Sequence, residues 1–192
     1  LNTAQIAALN TAALLGLTTT QLAYLSSTQV AALTSAQMSA LTVAQVAKLS
    51  TAQAAALTST QLGALSTAQI SYMNATNCIA FLSTAAIGAI GSAGVNALNT
   101  TQLYALTSAQ VGALGTAALS GITTAQVSTV LDSDDISSLG TASVVILSSA
   151  HIAALSTAQI GVLSTNVITN LTTAQLSGLS SAQIAAFTSA QV

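Results

Sequence analysis

The sequence repeats itself every eight residues, and this period constrains the fold more than any single residue does. Counted from a leading apolar residue, units begin at Leu1, Leu9, Leu17, Leu25, Leu33, Leu41, Leu49, Leu57, Leu65 and Met73. They resume at Leu82, Ile90, Leu98, Leu106, Leu114 and Ile122, then run Leu131, Leu139, Leu147, Leu155, Leu163, Leu171, Leu179 and Phe187. Two units, 73–81 and 122–130, hold nine residues, and the last, 187–192, holds six. These 24 units, numbered here in order, account for the whole chain of 192 residues.

An octad cannot be a stripe on one long helix. Eight residues at about 100° each overshoot two full turns by about 80°, whereas supercoils tolerate only the small drift of seven- or eleven-residue repeats. Strict alternation is also absent, and Ala and Gln are poor strand residues, which excludes a β-solenoid.

What fits is a helix start in every unit. The second position is always Ser, Thr, Asn, Asp or Gly, as in Asn2, Thr18, Ser26, Asp132 and Gly140, the set that caps helix N-termini. Gln follows three residues later in 15 of the 24 units, as in Gln5, Gln21, Gln102 and Gln183. This is the capping box, in which each side chain accepts the other residue's orphan backbone N–H. Pairs such as Leu65 and Ile70 occupy the hydrophobic-staple positions. The pattern predicts one helix of about five to seven residues per unit, too short to stand alone in water.

Such helices must stack. The leading Leu and the branched sixth residue are expected in a shared core, with Ala and Gly at positions 4, 7 and 8 admitting close backbone approach. The expectation is an all-α protein, a rod-like α-solenoid forming one domain over residues 1–192. The nine-residue units should each add a residue at a bend. Sequence leaves the number of units per superhelical turn open.

Composition removes several function classes. The chain has one Lys or Arg in total, three acidic residues and no Pro or Trp. Charged residues make up 2%, against roughly 25% in ordinary soluble domains, so no basic patch exists to neutralise nucleic acid. Mean hydropathy is +0.76, but polar residues interrupt every apolar run. The longest, "TAAIGAIGSAGVNAL", is Gly-rich and contains Ser92 and Asn96, so no membrane-spanning segment is expected. The chain opens directly on a repeat unit, without the basic start of a signal peptide and without Met, as a mature product or excised segment would.

No residue set suggests chemistry. His151 occupies the Gln slot of "LSSAHIAAL" and reads as a solvent-side stand-in for Gln. Cys78 falls at the branched-apolar position of "MNATNCIAF" and reads as a small buried hydrophobe. Asp132, Asp134 and Asp135 hold every carboxylate side chain; they suit a helix N-terminus and lack the spacing of a calcium loop. Lys48 reads as a lone solvated charge, and the sequons at Asn74, Asn99 and Asn170 arise readily in so Thr-rich a chain. No catalytic, metal or cofactor site is expected, and no enzymatic activity.

The octads "LSTAQIGV", "LTSAQVGA" and "LTTAQLSG" resemble the L-S/T-T-A-Q-I/V-A-A arrays of large bacterial surface and adhesin-like secreted proteins. The resemblance implies an extracellular or cell-surface location and a non-enzymatic spacer or fibre. The weakly charged surface favours association, and open solenoid ends favour head-to-tail contacts. The expected function is therefore a structural repeat protein that builds or extends a fibre, sheath or surface layer with itself as partner. The alternative is a surface-lattice module that binds ice, carbohydrate or another solid, or an adhesin spacer.

Overall fold

The computed structural model describes residues 1–192, the side chain of Thr129 excepted. Twenty-two α-helices of four to seven residues follow one another, from Thr3–Ala7 to Ser181–Ala185, together with one 3₁₀ helix at Ile79–Phe81. No strand is present among the described residues.

Every α-helix but one begins as the sequence pattern requires; Gly91–Ala97 starts one residue early, at the expected cap, with Ile90 before it and no side-chain cap bond. In Ser59–Gly63 the Thr58 side chain accepts the Gln61 N–H at 3.2 Å, and Gln61 Oε1 accepts the Thr58 N–H at 3.0 Å. The bends need no glycine or proline. The leading residue and the cap are both extended, as at Leu41 (φ −56°, ψ 143°) and Thr42 (φ −71°, ψ 156°), and two such residues redirect the chain. Gly91, with φ +68°, is the one residue in the left-handed region.

Helices three units apart lie against each other. Thr11–Leu15 packs on Ser35–Ala40, Ser35–Ala40 on Ser59–Gly63, and Ser59–Gly63 on Thr84–Ile87. The spacing persists to Thr157–Gly161 on Ser181–Ala185. Three units therefore complete one superhelical turn, and the cross-section is a triangle with one helix per side. At about 1.5 Å per residue, a helix of five residues makes a side of roughly 8 Å. Twenty-four units at three per turn give eight turns.

The core is one column down the axis. The sixth residues, among them Val30, Met38, Val46, Leu62, Val111 and Ile152, are fully buried, and the leading residues Leu33, Leu57, Leu98, Leu131 and Leu155 nearly so. One continuous cluster of buried apolar side chains runs from Ile6 to Leu179.

The two nine-residue units behave differently from each other. In 122–130 the extra residue extends the end of Thr124–Thr129, with Val130 as C-cap, which fits the expected longer bend. In 73–81 it does not sit at the bend. The chain instead makes a wide turn in which the N–H groups of Ile79 and Ala80 reach back five residues to the Asn74 and Ala75 carbonyls. The segment then closes as the 3₁₀ helix Ile79–Phe81. Cys78 and Ile79 are both fully buried, but it is the Ile79 carbonyl that fills the sixth-residue role in the stack, one place later than the spacing suggests. Units 10 and 16 are six apart, so both extra residues fall on the same side of the triangle, two turns from each other.

Candidate functional site: the amide ladder and the solenoid ends

The Gln slot carries a second function. Gln61 is 2% exposed, and while Oε1 serves the cap, Nε2 donates to the Val30 carbonyl at 2.9 Å and the Leu33 carbonyl at 2.7 Å. These acceptors lie 31 and 28 residues back: the sixth residue of unit 4 and the leading residue of unit 5. The same pair of offsets recurs at Gln37, Gln45, Gln53, Gln69, Gln110 and Gln191. At Gln102 the offsets are 32 and 29, because the path crosses the longer unit 73–81. One amide thus caps its own helix and ties it to the bend one turn below, with both N–H groups and the carbonyl used. No buried side-chain polar atom lacks a partner among the described residues.

This corrects the solvent-side reading of the slot at His151. The imidazole does replace Gln, but inward: Nδ1 accepts the Ser148 N–H at 3.2 Å, and Nε2 stands 3.0 Å from the Ile122 carbonyl. That carbonyl can only accept, so the neutral Nε2–H tautomer fits both partners. The third residue of so short a helix faces the turn below, not the solvent.

Asp135 is the other departure. It sits in the Gln slot at 8% exposure, forms a capping box with Asp132, and has an acceptor-only side chain when ionised. Burial pushes its carboxyl above the ordinary 3.8, opposed by hydrogen bonds from the Asp132 backbone and Ser108 and aided by the charges of Asp132 and Asp134. The proton is therefore held more tightly in the folded state. Its stabilising contribution is complete below about pH 3.8 and is lost as pH rises through the raised native value. Asp135→Asn is expected to raise the denaturation midpoint at pH 7 and to flatten the pH profile in this acidic window. A variant no more stable than wild type at neutral pH would contradict that reading.

Where Gln is absent, small residues let backbones come closer. A Cβ on Gly112 would stand 2.8 Å from the Ser138 carbonyl, below Asp135, and one on Gly121 2.0 Å from the Ser92 carbonyl, beside Ala118. Levels of the solenoid are thus joined in two ways, by an amide rung or by close backbone contact.

The remaining singled-out residues do not converge. Burial pushes the Cys78 thiol up to about 12, which leaves it unreactive. Asn74 and Asn99 line one open polar cleft with Met73, Thr76, Thr101 and Gln102, formed where unit 10 has lost its regular helix below unit 13. Asn170 lies elsewhere and donates to the Asn166 carbonyl. No group of three potential metal ligands occurs among the described residues, nor a helix long and apolar enough to cross a membrane.

The two ends differ from the interior and from each other. In the first turn, Gln5 and Gln21 serve their caps through Oε1, but no turn lies below to receive their Nε2 groups. Leu9, Leu17 and Leu25 are only partly covered, and Leu1 is 72% exposed. In the last turn the sixth residues, buried throughout the interior, lie open: Leu176 at 39%, Ile184 at 53% and Val192 at 92%. One end presents donors and leading residues; the other presents sixth residues and bends that no glutamine reaches.

No curated protein and no solved structure matches the chain. A sequence profile of the ALTTAQ repeat does match, over residues 1–35, 21–51, 30–67, 75–108 and 129–165. These segments cover well over half of the 192 residues, and each spans several of the octads. The chain belongs to the ALTTAQ repeat family.

Proposed function

We propose that the protein is a structural rod that joins end to end, building or extending an extracellular fibre, sheath or surface layer. The observation that carries this reading is the core column running unbroken from Ile6 to Leu179 with amide rungs beside it, built alike at level after level, so that further matching levels can continue it. A stack in which each level offers the next the same apolar side chains and backbone carbonyls favours the addition of matching levels. Joined head to tail, such contacts do not close and so propagate into filaments. A surface of Ser, Thr, Ala and Gln with a net charge of −2 adds little repulsion against this.

Negative-stain electron microscopy of the purified chain tests the reading. Filaments one solenoid wide and several molecules long are expected at high concentration. Monodisperse particles of a single length under those conditions would sink it. The extracellular location is tested by digesting intact source cells with protease, which should remove the protein.

A second reading rests on the exposed cap hydroxyls, such as those of Thr34, Thr58 and Ser66, which recur at the solenoid's repeat on its sides. They form a regular hydroxyl lattice suited to ice or a crystalline carbohydrate. Thermal hysteresis, or retention on solid polysaccharide by single molecules, would favour this over the fibre.

A further inference from the structure

We propose that one edge of the triangular rod, carrying Tyr24, Lys48 and Tyr72, binds an acidic polysaccharide chain laid along it. This edge is distinct from the hydroxyl-bearing sides, and a single molecule presents it whether or not molecules join end to end.

Three units make a turn, so residues 24 apart stand one above another. Tyr24, Lys48 and Tyr72 are the eighth residues of units 3, 6 and 9. They stand at the C-terminal ends of Thr19–Ala23, Val43–Val46 and Thr67–Tyr72, which stack in that order on one side of the triangle. At about 8–10 Å between packed helices, Tyr24 and Tyr72 are roughly 16–20 Å apart, with Lys48 midway. Tyr24 is 84% exposed, Tyr72 62%, and Lys48 is exposed between them. The levels of Lys48 and Tyr72 are both covered above and below, so their openness belongs to the corner. Neither phenol nor the Lys48 ammonium has a hydrogen-bonding partner among the described residues.

The large residues are confined to this edge. In the octads of the other two edges the eighth residue is Ala, Gly or Ser, Val162 alone excepted. Here it is Tyr24, Lys48 and Tyr72 on three successive levels, before the edge narrows at Ala97 and Gly121.

Charge and shape select the ligand. The chain's one Lys or Arg stands between two of its three tyrosines. All three carboxylate side chains lie in unit 17, four levels up on another side. The molecule as a whole, with a net charge of −2, repels an anion, and Lys48 is the local exception. A pyranose ring offers its C–H face to the electron-rich face of a tyrosine, and the acid group of an acidic sugar pairs with the ammonium. Two residues beyond each member of the column stands an exposed polar side chain, Ser26, Ser50 and Asn74, within the same corner for sugar hydroxyls. A convex edge of three side chains supplies far less than the roughly 800 Å² a side of a stable protein interface, whereas a linear polymer needs only a line of contacts.

The test is binding of soluble polygalacturonate and dextran sulfate, each against its neutral counterpart, the methyl ester and plain dextran. Affinity electrophoresis and tyrosine fluorescence report it, the latter undisturbed because the chain has no Trp. Wild type should bind at least one acidic polymer about tenfold or more tightly than its neutral counterpart, and the one it binds identifies carboxylate or sulfate as the anion. The pair Tyr24→Ala, Tyr72→Ala should weaken binding about tenfold or more. Lys48→Gln should weaken it about threefold at low salt and remove most of its salt dependence. Tyr104→Ala, at a residue 62% exposed but off this edge, should bind as wild type does. Alanine already fills the eighth position of many units, so circular dichroism and melting of the edge variants should match wild type. Binding to neither acidic polymer overturns the proposal, as does equal binding to the neutral ones. So does a loss on Tyr104→Ala as large as that of the edge pair; none of these outcomes bears on filament formation.

Discussion

Gln61→Glu should destabilise the protein by about 3–5 kcal/mol at neutral pH, the penalty of a buried charge left without a partner. The substitution changes one NH₂ group into an oxygen and preserves shape. Its cap acceptor survives, since either Glu oxygen can take the Thr58 N–H that now lies 3.0 Å from Oε1. What is lost is both donors, to the Val30 and Leu33 carbonyls at 2.9 and 2.7 Å, and a carboxylate is placed against those oxygens at a site 2% exposed. Burial raises the pKa of the new carboxyl, so its folded form favours the proton. The lost stability should return as pH falls through that raised value, because a protonated Glu donates again to one carbonyl. Gln61→Ala, which leaves the cap N–H and the carbonyls without these partners but adds no charge, should lose less, about 1–3 kcal/mol. Urea denaturation at pH 7 and pH 4 checks the order. A Gln61→Glu protein within 1 kcal/mol of wild type at pH 7 would mean that this amide bears little of the load between turns.

The contrast between Gln61 and Gln21 locates what sequence could and could not reveal. Both sit in "STQLG" or "TTQLA" contexts with the same cap and the same staple, and the capping box predicted from spacing alone is present in both. Local devices were legible because both partners of each bond are side chains or near neighbours in the chain. The second bond of Gln61 was not, because its acceptors are backbone carbonyls about 30 residues away, and a carbonyl carries no residue identity. One signal did exist. A capping box accepts Glu and Gln alike, yet the slot holds Gln 15 times and the chain contains no Glu at all. A need for donors at the slot fits that exclusion, as does the scarcity of every charged residue in the chain.

The number of units per turn had a similar trace. Units 10 and 16 are the two long ones, six apart, and a triangular solenoid places them on one side where their extra residues disturb one edge alone. Position 5 read as an outward polar residue because helix N-termini are usually solvated. Here each side is only about one and a half helical turns long, so the third residue of every helix looks down onto the preceding level. Geometry at this scale turns a capping residue into a tie between levels, and Asp135 shows the cost of filling the slot with a side chain that has no donor when ionised.

Gly121→Ala should cost at least about 3 kcal/mol, at the upper end of overpacking penalties, although it adds a single methyl group. The Cβ would lie 2.0 Å from the Ser92 carbonyl oxygen, 2.6 Å from its carbon and 2.7 Å from its Cα. All three are backbone atoms, so no rotamer change relieves the clash, and the whole level must shift. That level has no amide rung to stretch, since Gly94 and Ala118 stand where Gln would be. The shift also pulls the Gly121 carbonyl from Asn96 Nδ2, now 3.1 Å away. Gly140→Ala is the matched control: an added Cβ there meets nothing within 4 Å, and the residue is a cap without a side-chain bond. Its effect should stay within about 0.5 kcal/mol, and Gly140→Ser should gain a few tenths by supplying the missing cap. Hydrogen exchange should show the Gly121→Ala damage concentrated in Gly91–Ala97 and Thr116–Leu119, the two helices that this contact joins. Equal stability of Gly121→Ala and Gly140→Ala would show that levels without glutamine are held no closer than the rest, and that amide rungs alone set the spacing of the solenoid.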